Sequence, residues 1–105
     1  MFNIKEVDAG DVHHKISAAG GVRLVDVRSP AEVAQGAIPG AVNIPLHLLP
    51  IRMGDFGDGV ETVIYCRSGA RSAQACAFLQ AQGIQNVYNL RGGIISWVQN
   101  GLAVA

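Results

Sequence analysis

The sequence predicts an α/β domain, a doubly wound arrangement of strands and helices joined by right-handed crossovers. Two observations lead there. Short β-branched runs bounded by Gly or Pro alternate along the chain with amphipathic, Ala- and Leu-containing stretches. Half of the residues are hydrophobic yet only 6% are aromatic, so the core is aliphatic, as strands buried on both faces of a parallel sheet require. The 105 residues suit a single domain over 1–105 that buries roughly 65% of its unfolded surface. No repeat, low-complexity tract or linker divides them.

The elements follow in order. Phe2-Asn3-Ile4 reads as a weak first strand. Asp8 is placed to cap a helix that runs to about Ala19 and stops at Gly20-Gly21. Val22 to Val27 is a buried strand. Ser29-Pro30-Ala31-Glu32 then opens a brief helix, with a Ser cap, Pro in the first turn and Glu placed to close a capping box. Ala41-Val42-Asn43-Ile44 is the next strand, and Leu46 to Met53 a short helix weakened by Pro50. Thr62-Val63-Ile64-Tyr65 and Asn86-Val87-Tyr88-Asn89-Leu90 are strands that bracket a helix from Arg71 to Gln82, with Gly83 as its stop. Gly92 to Asn100 forms the last helix, with Trp97 as a core anchor.

Charge excludes several functions. Eight basic and eight acidic side chains cancel, so no global field draws nucleic acid or an anionic membrane. No apolar run approaches the length of a membrane span. Two cysteines and an N-terminus that turns charged at once, with no apolar h-region, point to a reducing, cytoplasmic setting. His13 and His14 are adjacent on a helix and face different ways, so with His47 they read as surface residues, and no metal motif is present.

In sheets of this kind ligands bind beyond the carboxyl ends of the strands. One strand end offers a nucleophile: Tyr65 runs into Cys66-Arg67-Ser68-Gly69-Ala70-Arg71-Ser72, which enters the Ala-rich helix. A short loop with Gly at its centre curls so that successive N–H groups point inward as an anion nest. The positive end of the following helix reinforces it. An ordinary thiol, with a pKa near 8.5, is only about 3% ionised at pH 7. Helix N-termini and neighbouring cations such as Arg67 and Arg71 lower that pKa, so Cys66 is expected to be a thiolate nucleophile.

The resemblance to a known family rests on three segments. Leu24-Val25-Asp26-Val27-Arg28, Glu32 and the run Gly36 to Pro45 are similar to the first half of a rhodanese domain. Tyr65 to Ser72 resembles its active-site loop, and Leu90-Arg91-Gly92-Gly93, Trp97 and Gly101-Leu102 its final helix. The resemblance spans nearly the whole chain. It implies a five-stranded parallel sheet flanked by helices on both faces. It further implies a sulfurtransferase in which Cys66 takes sulfur from a donor, becomes a persulfide and passes the sulfur to an acceptor. Cys66 is then the catalytic residue, Arg67, Ser68, Gly69, Ala70, Arg71 and Ser72 bind the substrate, and no cofactor is needed beyond the covalent persulfide. Related phosphatases and arsenate reductases use a loop one residue longer than the C-x-x-x-x-R spacing of Cys66 to Arg71. By the same resemblance a charged loop goes with thiosulfate as donor. Arg71 differs from the Thr or Ser of many relatives and leaves the donor open. Cyanide, a small thiol or a thioredoxin-like protein is the expected acceptor. A non-catalytic sulfur relay or regulatory binding module is the alternative reading, and a phosphatase or arsenate reductase, disfavoured by the loop length, is a further one.

Three further residues end or follow the strand at Val22 to Val27. The resemblance places Asp26 and Arg28 under the active-site loop, and with Glu32 they are expected to give structural support, Arg28 pairing with Glu32 and Asp26 accepting backbone N–H groups. Cys76 lies about 7.5 Å further along the helix axis than Arg71, which places it in the core rather than in disulfide reach of Cys66.

Overall fold

A computed structural model describes residues 3–17 and 21–105; of Ser17 only the backbone is described. Five strands, β1 (Glu6–Val7), β2 (Arg23–Asp26), β3 (Val42–Asn43), β4 (Thr62–Tyr65) and β5 (Val87–Leu90), form one sheet in the order β1-β5-β4-β2-β3. Every pairing is parallel. The helices are α1 (Ala9–Ser17), α2 (Pro30–Ala34), α3 (Leu49–Arg52), α4 (Ala70–Ala81) and α5 (Gly93–Gln99). None of the described helices is long and apolar enough to cross a membrane.

Alternation along the strands sorts the core into two layers. Val25, Ile64 and Val87 face one side and pack with Ala75, Cys76 and Leu79 of α4 and with Leu49 of α3. Leu24, Val63, Tyr65 and Leu90 face the other and pack with Ala9 and Val12 of α1 and Trp97 of α5. β4 lies at the centre of the sheet, and all four of its residues are buried. Cys66 continues its alternation on the α4 side, so the strand delivers the sulfur to the foot of that helix.

Local chemistry sets most element ends as expected. Asp8 caps α1 by accepting the Asp11 N–H at 2.8 Å. The stop expected at Ala19 and Gly20 lies outside the described residues. Ser29 and Glu32 form both halves of the capping box of α2. Pro50 falls in the first turn of α3, where its missing N–H costs nothing, and 3-10 turns over Leu46–Leu48 and Met53–Phe56 flank that helix.

The first strand differs from expectation. Phe2 lies outside the described residues, while Asn3 and Ile4 are not in a strand. Pairing begins instead at Glu6–Val7, in register with Asn89 and Leu90. Ile4 packs against the core without joining the ladder. Its apolar side chain signals burial, whereas the pairing residue Glu6 is charged because its carboxylate accepts from Asn89 Nδ2 at 3.0 Å.

A buried ion pair braces the carboxyl end of β2. Arg28 Nη2 donates to Asp26 Oδ2 at 2.7 Å, and Arg28 Nε donates to the same carboxylate, both side chains being almost fully enclosed. Arg28 also donates to the Gly36 carbonyl at 2.7 Å. The expected Arg28–Glu32 pair is therefore not formed. Arg28 turns inward to the nearer carboxylate two residues behind it, and Glu32 is claimed by a different arginine. Asp26 does accept a backbone N–H, that of Arg28, at 2.9 Å. Beside the pair, the Tyr65 hydroxyl accepts the Ile38 N–H at 3.0 Å, and burial pushes the phenol pKa up so that it stays neutral. Asp26→Ala is expected to cost about 3–5 kcal/mol, because it strands a buried guanidinium. Urea unfolding measures this; an unchanged midpoint would show that the pair contributes nothing net.

Candidate active site

Cys66 follows the last residue of β4, and the loop 66–69 climbs directly into α4. The Gly69 N–H donates to Cys66 Sγ at 3.1 Å, and the Ser72 N–H and Oγ both donate at 3.4 Å. Gly69 adopts φ +104°, and a Cβ there would meet the Gly92 nitrogen at 3.3 Å, so glycine suits both the turn and the space. The sulfur thus lies within a ring of donors at the positive end of a 12-residue helix. Cys66 is itself only 1% exposed.

The carbonyls of the loop are occupied from behind. Ile94 N–H donates to the Cys66 carbonyl at 3.0 Å and Ile95 N–H to the Arg67 carbonyl at 3.2 Å. These are first-turn donors of α5, which have no partner within their own helix. Gly93 makes the approach possible: a Cβ there would lie 2.4 Å from the Arg67 oxygen and 2.5 Å from that of Cys66. With its carbonyls turned toward α5, the loop presents its N–H groups to the sulfur. Asn89 Nδ2 adds a bond to the Gly69 carbonyl at 3.3 Å. Sequence reasoning assigns neither Gly93 nor Asn89 to the site. The Gly-Gly pair is a signal for close packing, but its contact with this loop is visible only in three dimensions.

Electrostatics separate the two cysteines. Burial alone raises the pKa of Cys66, but hydrogen bonds from the Ser72 hydroxyl and from the Ser72, Gly69 and Ser68 backbones outweigh it and hold the thiol below its ordinary value. Cys76, equally buried on α4 but without such donors, is pushed up to about 12. Both thiols are free, and Cys76 packs in the core with Ala75 and Leu79.

Two arginines stand at the rim in different states. Arg67 is exposed and makes no ion pair among the described residues. Arg71 is held by Glu32 in a bidentate pair, Nη1 to Oε1 at 2.8 Å and Nη2 to Oε2 at 2.9 Å. That pair, with the N–H of Ser29, holds the Glu32 carboxyl down to about 2. Beside Arg67 opens a cavity of about 470 Å³, with Ile94, Ile95, Val98 and Val104 on one side and Glu32 and Gln35 on the other. Of the remaining expected site residues, Ser68 contributes its backbone to the sulfur and Ala70 opens α4. Asp26 and Arg28 lie outside the donor ring, joined to each other. His13 stands edge-on to Trp97, with ring centres 6.0 Å apart, and His14 and His47 are exposed.

A parallel sheet that delivers a buried cysteine, its thiol pKa lowered by hydrogen bonds, to a helix N-terminus defines an α/β protein with an anion-stabilising site at a strand end. The chain belongs to the rhodanese-like family, whose domain model matches residues 8–100. It is 50% identical over 101 residues to a protein named sulfurtransferase from Allochromatium vinosum, covering 96% of this chain and 94% of that one. It is 33% identical over 103 residues to thiosulfate sulfurtransferase 16 of Arabidopsis thaliana, covering 87% and 85% of the two chains. Among solved structures, a rhodanese-related protein from Thermoplasma volcanium superposes with a TM-score of 0.86 at 32% identity, covering 96% of this chain and 97% of that one.

Two outcomes are expected from this geometry. Ser72→Ala removes the hydroxyl donor and raises the Cys66 pKa, so the rate of iodoacetamide alkylation shifts its midpoint to higher pH. Gly93→Ala forces the loop off α5 and moves that midpoint further, with the far-ultraviolet circular dichroism spectrum retained. A Gly93→Ala variant that alkylates like wild type would show that the loop does not depend on α5.

Proposed function

We propose that this protein is a sulfurtransferase that carries sulfane sulfur as a persulfide on Cys66, accepting it from thiosulfate or a related donor. The observation that supports this best is the ring of donors at 3.1–3.4 Å around a single sulfur atom. Relatives named as sulfurtransferases, one of them a thiosulfate sulfurtransferase, support the same reading.

In the proposed cycle, the Cys66 thiolate attacks the outer sulfur of thiosulfate. The new S–S bond forms as the donor's S–S bond breaks, and sulfite leaves with the electron pair. The product is the Cys66 persulfide, its negative charge on the outer sulfur beyond Sγ, at the positive end of α4. Arg67 faces the mouth as a cation able to pair the sulfonate oxygens. An acceptor nucleophile, cyanide or a thiolate, then attacks the terminal sulfur and restores the Cys66 thiolate. No cofactor takes part. The tight enclosure of Cys66 favours a reactant that presents one sulfur end-on over a tetrahedral oxyanion seated in the bowl.

Intact-mass measurement after incubation with thiosulfate tests this. Wild type is expected to gain one sulfur atom and Cys66→Ser none, and cyanide should then release the sulfur as thiocyanate. Because the thiolate is the attacking species, the loading rate should rise with pH through a midpoint below that of free cysteine, about 8.5. Absence of the mass gain would overturn the reading. Loading with negligible release to cyanide or to small thiols would point to a relay serving a protein acceptor.

A further inference from the structure

Asn89 is the odd residue of its core layer. It lies on β5, in register with Glu6 on one side and Ile64 on the other, and is 2% exposed. Asparagine is poorly suited to a buried strand position. Along β5 it follows Val87 by two residues and so shares the α4 side of the sheet with it. Its Nδ2 donates to Glu6 Oε2 at 3.0 Å and to the Gly69 carbonyl at 3.3 Å. Both partners are acceptors, so the amide can meet them only with its NH2 group. Oδ1 is left buried with no partner among the described residues. An apolar residue of similar size would avoid that loss, so packing alone does not account for an asparagine here.

The group it reaches is the part of the nucleophile loop that α5 leaves unheld. The N–H groups of Ile94 and Ile95 bind the carbonyls of Cys66 and Arg67, which fixes the first two peptide groups of the loop. The third, between Ser68 and Gly69, carries the N–H closest to the sulfur, at 3.1 Å against 3.4 Å for the Ser72 donors. The Ser68 carbonyl of that peptide accepts no hydrogen bond among the described residues. Gly69 itself, at φ +104°, has no Cβ to limit rotation about its own bonds. The direction of its N–H is therefore set from the far side, through the Gly69 carbonyl. That carbonyl accepts the Ala73 N–H at 3.0 Å, and Asn89 ties it to the sheet.

We propose that Asn89 is a positioning residue for the nucleophile: its amide, anchored on the Glu6 carboxylate, holds the Gly69 carbonyl and so keeps the Gly69 N–H aimed at Cys66 Sγ. Asn89 makes no hydrogen bond to the sulfur and acts only through Gly69. Glu6, on the neighbouring strand β1, takes one N–H of the amide and leaves the other turned to the loop. That role rests on Cys66 being the nucleophile of the proposed cycle, and adds to the cycle a residue from a different strand.

Asn89→Leu keeps the side-chain volume and removes both N–H donors, while Asn89→Ser stays polar but is too short to reach Gly69. For each variant the pH dependence of iodoacetamide alkylation is followed as the Cys66 adduct by peptide mass, beside the melting temperature. Both variants are expected to shift the Cys66 midpoint upward by about half a pH unit, so that alkylation well below the midpoint slows about threefold. N89L should melt no lower than wild type, because it also removes the unpartnered Oδ1 and leaves Glu6, one-third exposed, to water. Leu79→Ala, in the same core layer, is the control: it should lower the melting temperature and leave the midpoint in place. A merely structural Asn89 would behave like Leu79, with variants that melt lower or fail to fold and a midpoint that stays put. That result overturns the assignment, as does a shift in L79A as large as that in N89L. A wild-type Cys66 that titrates like free cysteine removes the activated thiol on which the transfer reading also depends. A depressed wild-type midpoint that neither Asn89 variant moves overturns this assignment alone.

Discussion

Ile94 and Ile95 donate their backbone N–H groups to the carbonyls of Cys66 and Arg67, and the orientation of the nucleophile loop depends on those two bonds. A peptide group carries its N–H and C=O on opposite sides, so a loop whose carbonyls are held against one helix must show its N–H groups to the other. Here the first helix is α5 and the second α4, and Cys66 Sγ lies at the N-terminus of α4. Each helix end supplies orphan N–H donors. Those of α5 bind loop carbonyls, and those at the start of α4 bind the sulfur. Gly93 is the point of contact at which even a methyl group would collide with both carbonyls.

The two cysteines show how much this arrangement contributes. Both are buried and lie on the same side of the sheet, in one core layer. Burial in that layer disfavours a thiolate, and it is the leading cause of the raised pKa of Cys76, with the Glu6 charge adding to it. Cys66 bears a burial penalty as well, yet its pKa moves the other way. The difference is the set of hydrogen bonds from Gly69, Ser68 and Ser72. Hydrogen bonds to a charged group contribute about 1.5–3 kcal/mol each, so a few suffice to reverse the sign.

Much of this is legible in the sequence because local chemistry decides it. The capping box at Ser29 and Glu32, the β-branched run Thr62 to Tyr65 and the glycine inside the loop each act over a few residues. What the sequence hides is partner choice over distance. Glu32 and Arg28 are four apart and of opposite charge, which suggests a pair, but Arg28 folds back onto Asp26 in the interior. Glu32 is left facing α4, where Arg71 comes from 39 residues away. The role of Gly93 is hidden for the same reason, since the carbonyls it accommodates belong to residues on a different strand end. β1 shows a different limit. Its short pairing is made by backbone groups at the edge of the sheet, and the nearby apolar residue, Ile4, packs without pairing.

The division of labour at the site follows from which groups reach the sulfur. The forces that depress the Cys66 pKa are hydrogen bonds from Ser72, Gly69 and Ser68, fixed by the fold and carrying no net charge. The sequence suggests that the two arginines also serve this purpose, yet Arg71 is already engaged by a carboxylate. The Ser72 hydroxyl and the backbone N–H groups of Ser72, Gly69 and Ser68 lead in stabilising the anion, while Arg71, whose own pKa Glu32 raises most, feels the Cys66 charge as a smaller effect. Preorganised dipoles also suit the proposed cycle, in which a sulfur anion would be present before and after transfer. In the proposed cycle the N–H groups around Sγ would keep their places as the leaving group departs, because the contacts with α5 fix the loop. Under the proposed cycle the loop would hold the sulfur whichever donor delivers it, and the side chains above it would discriminate among donors.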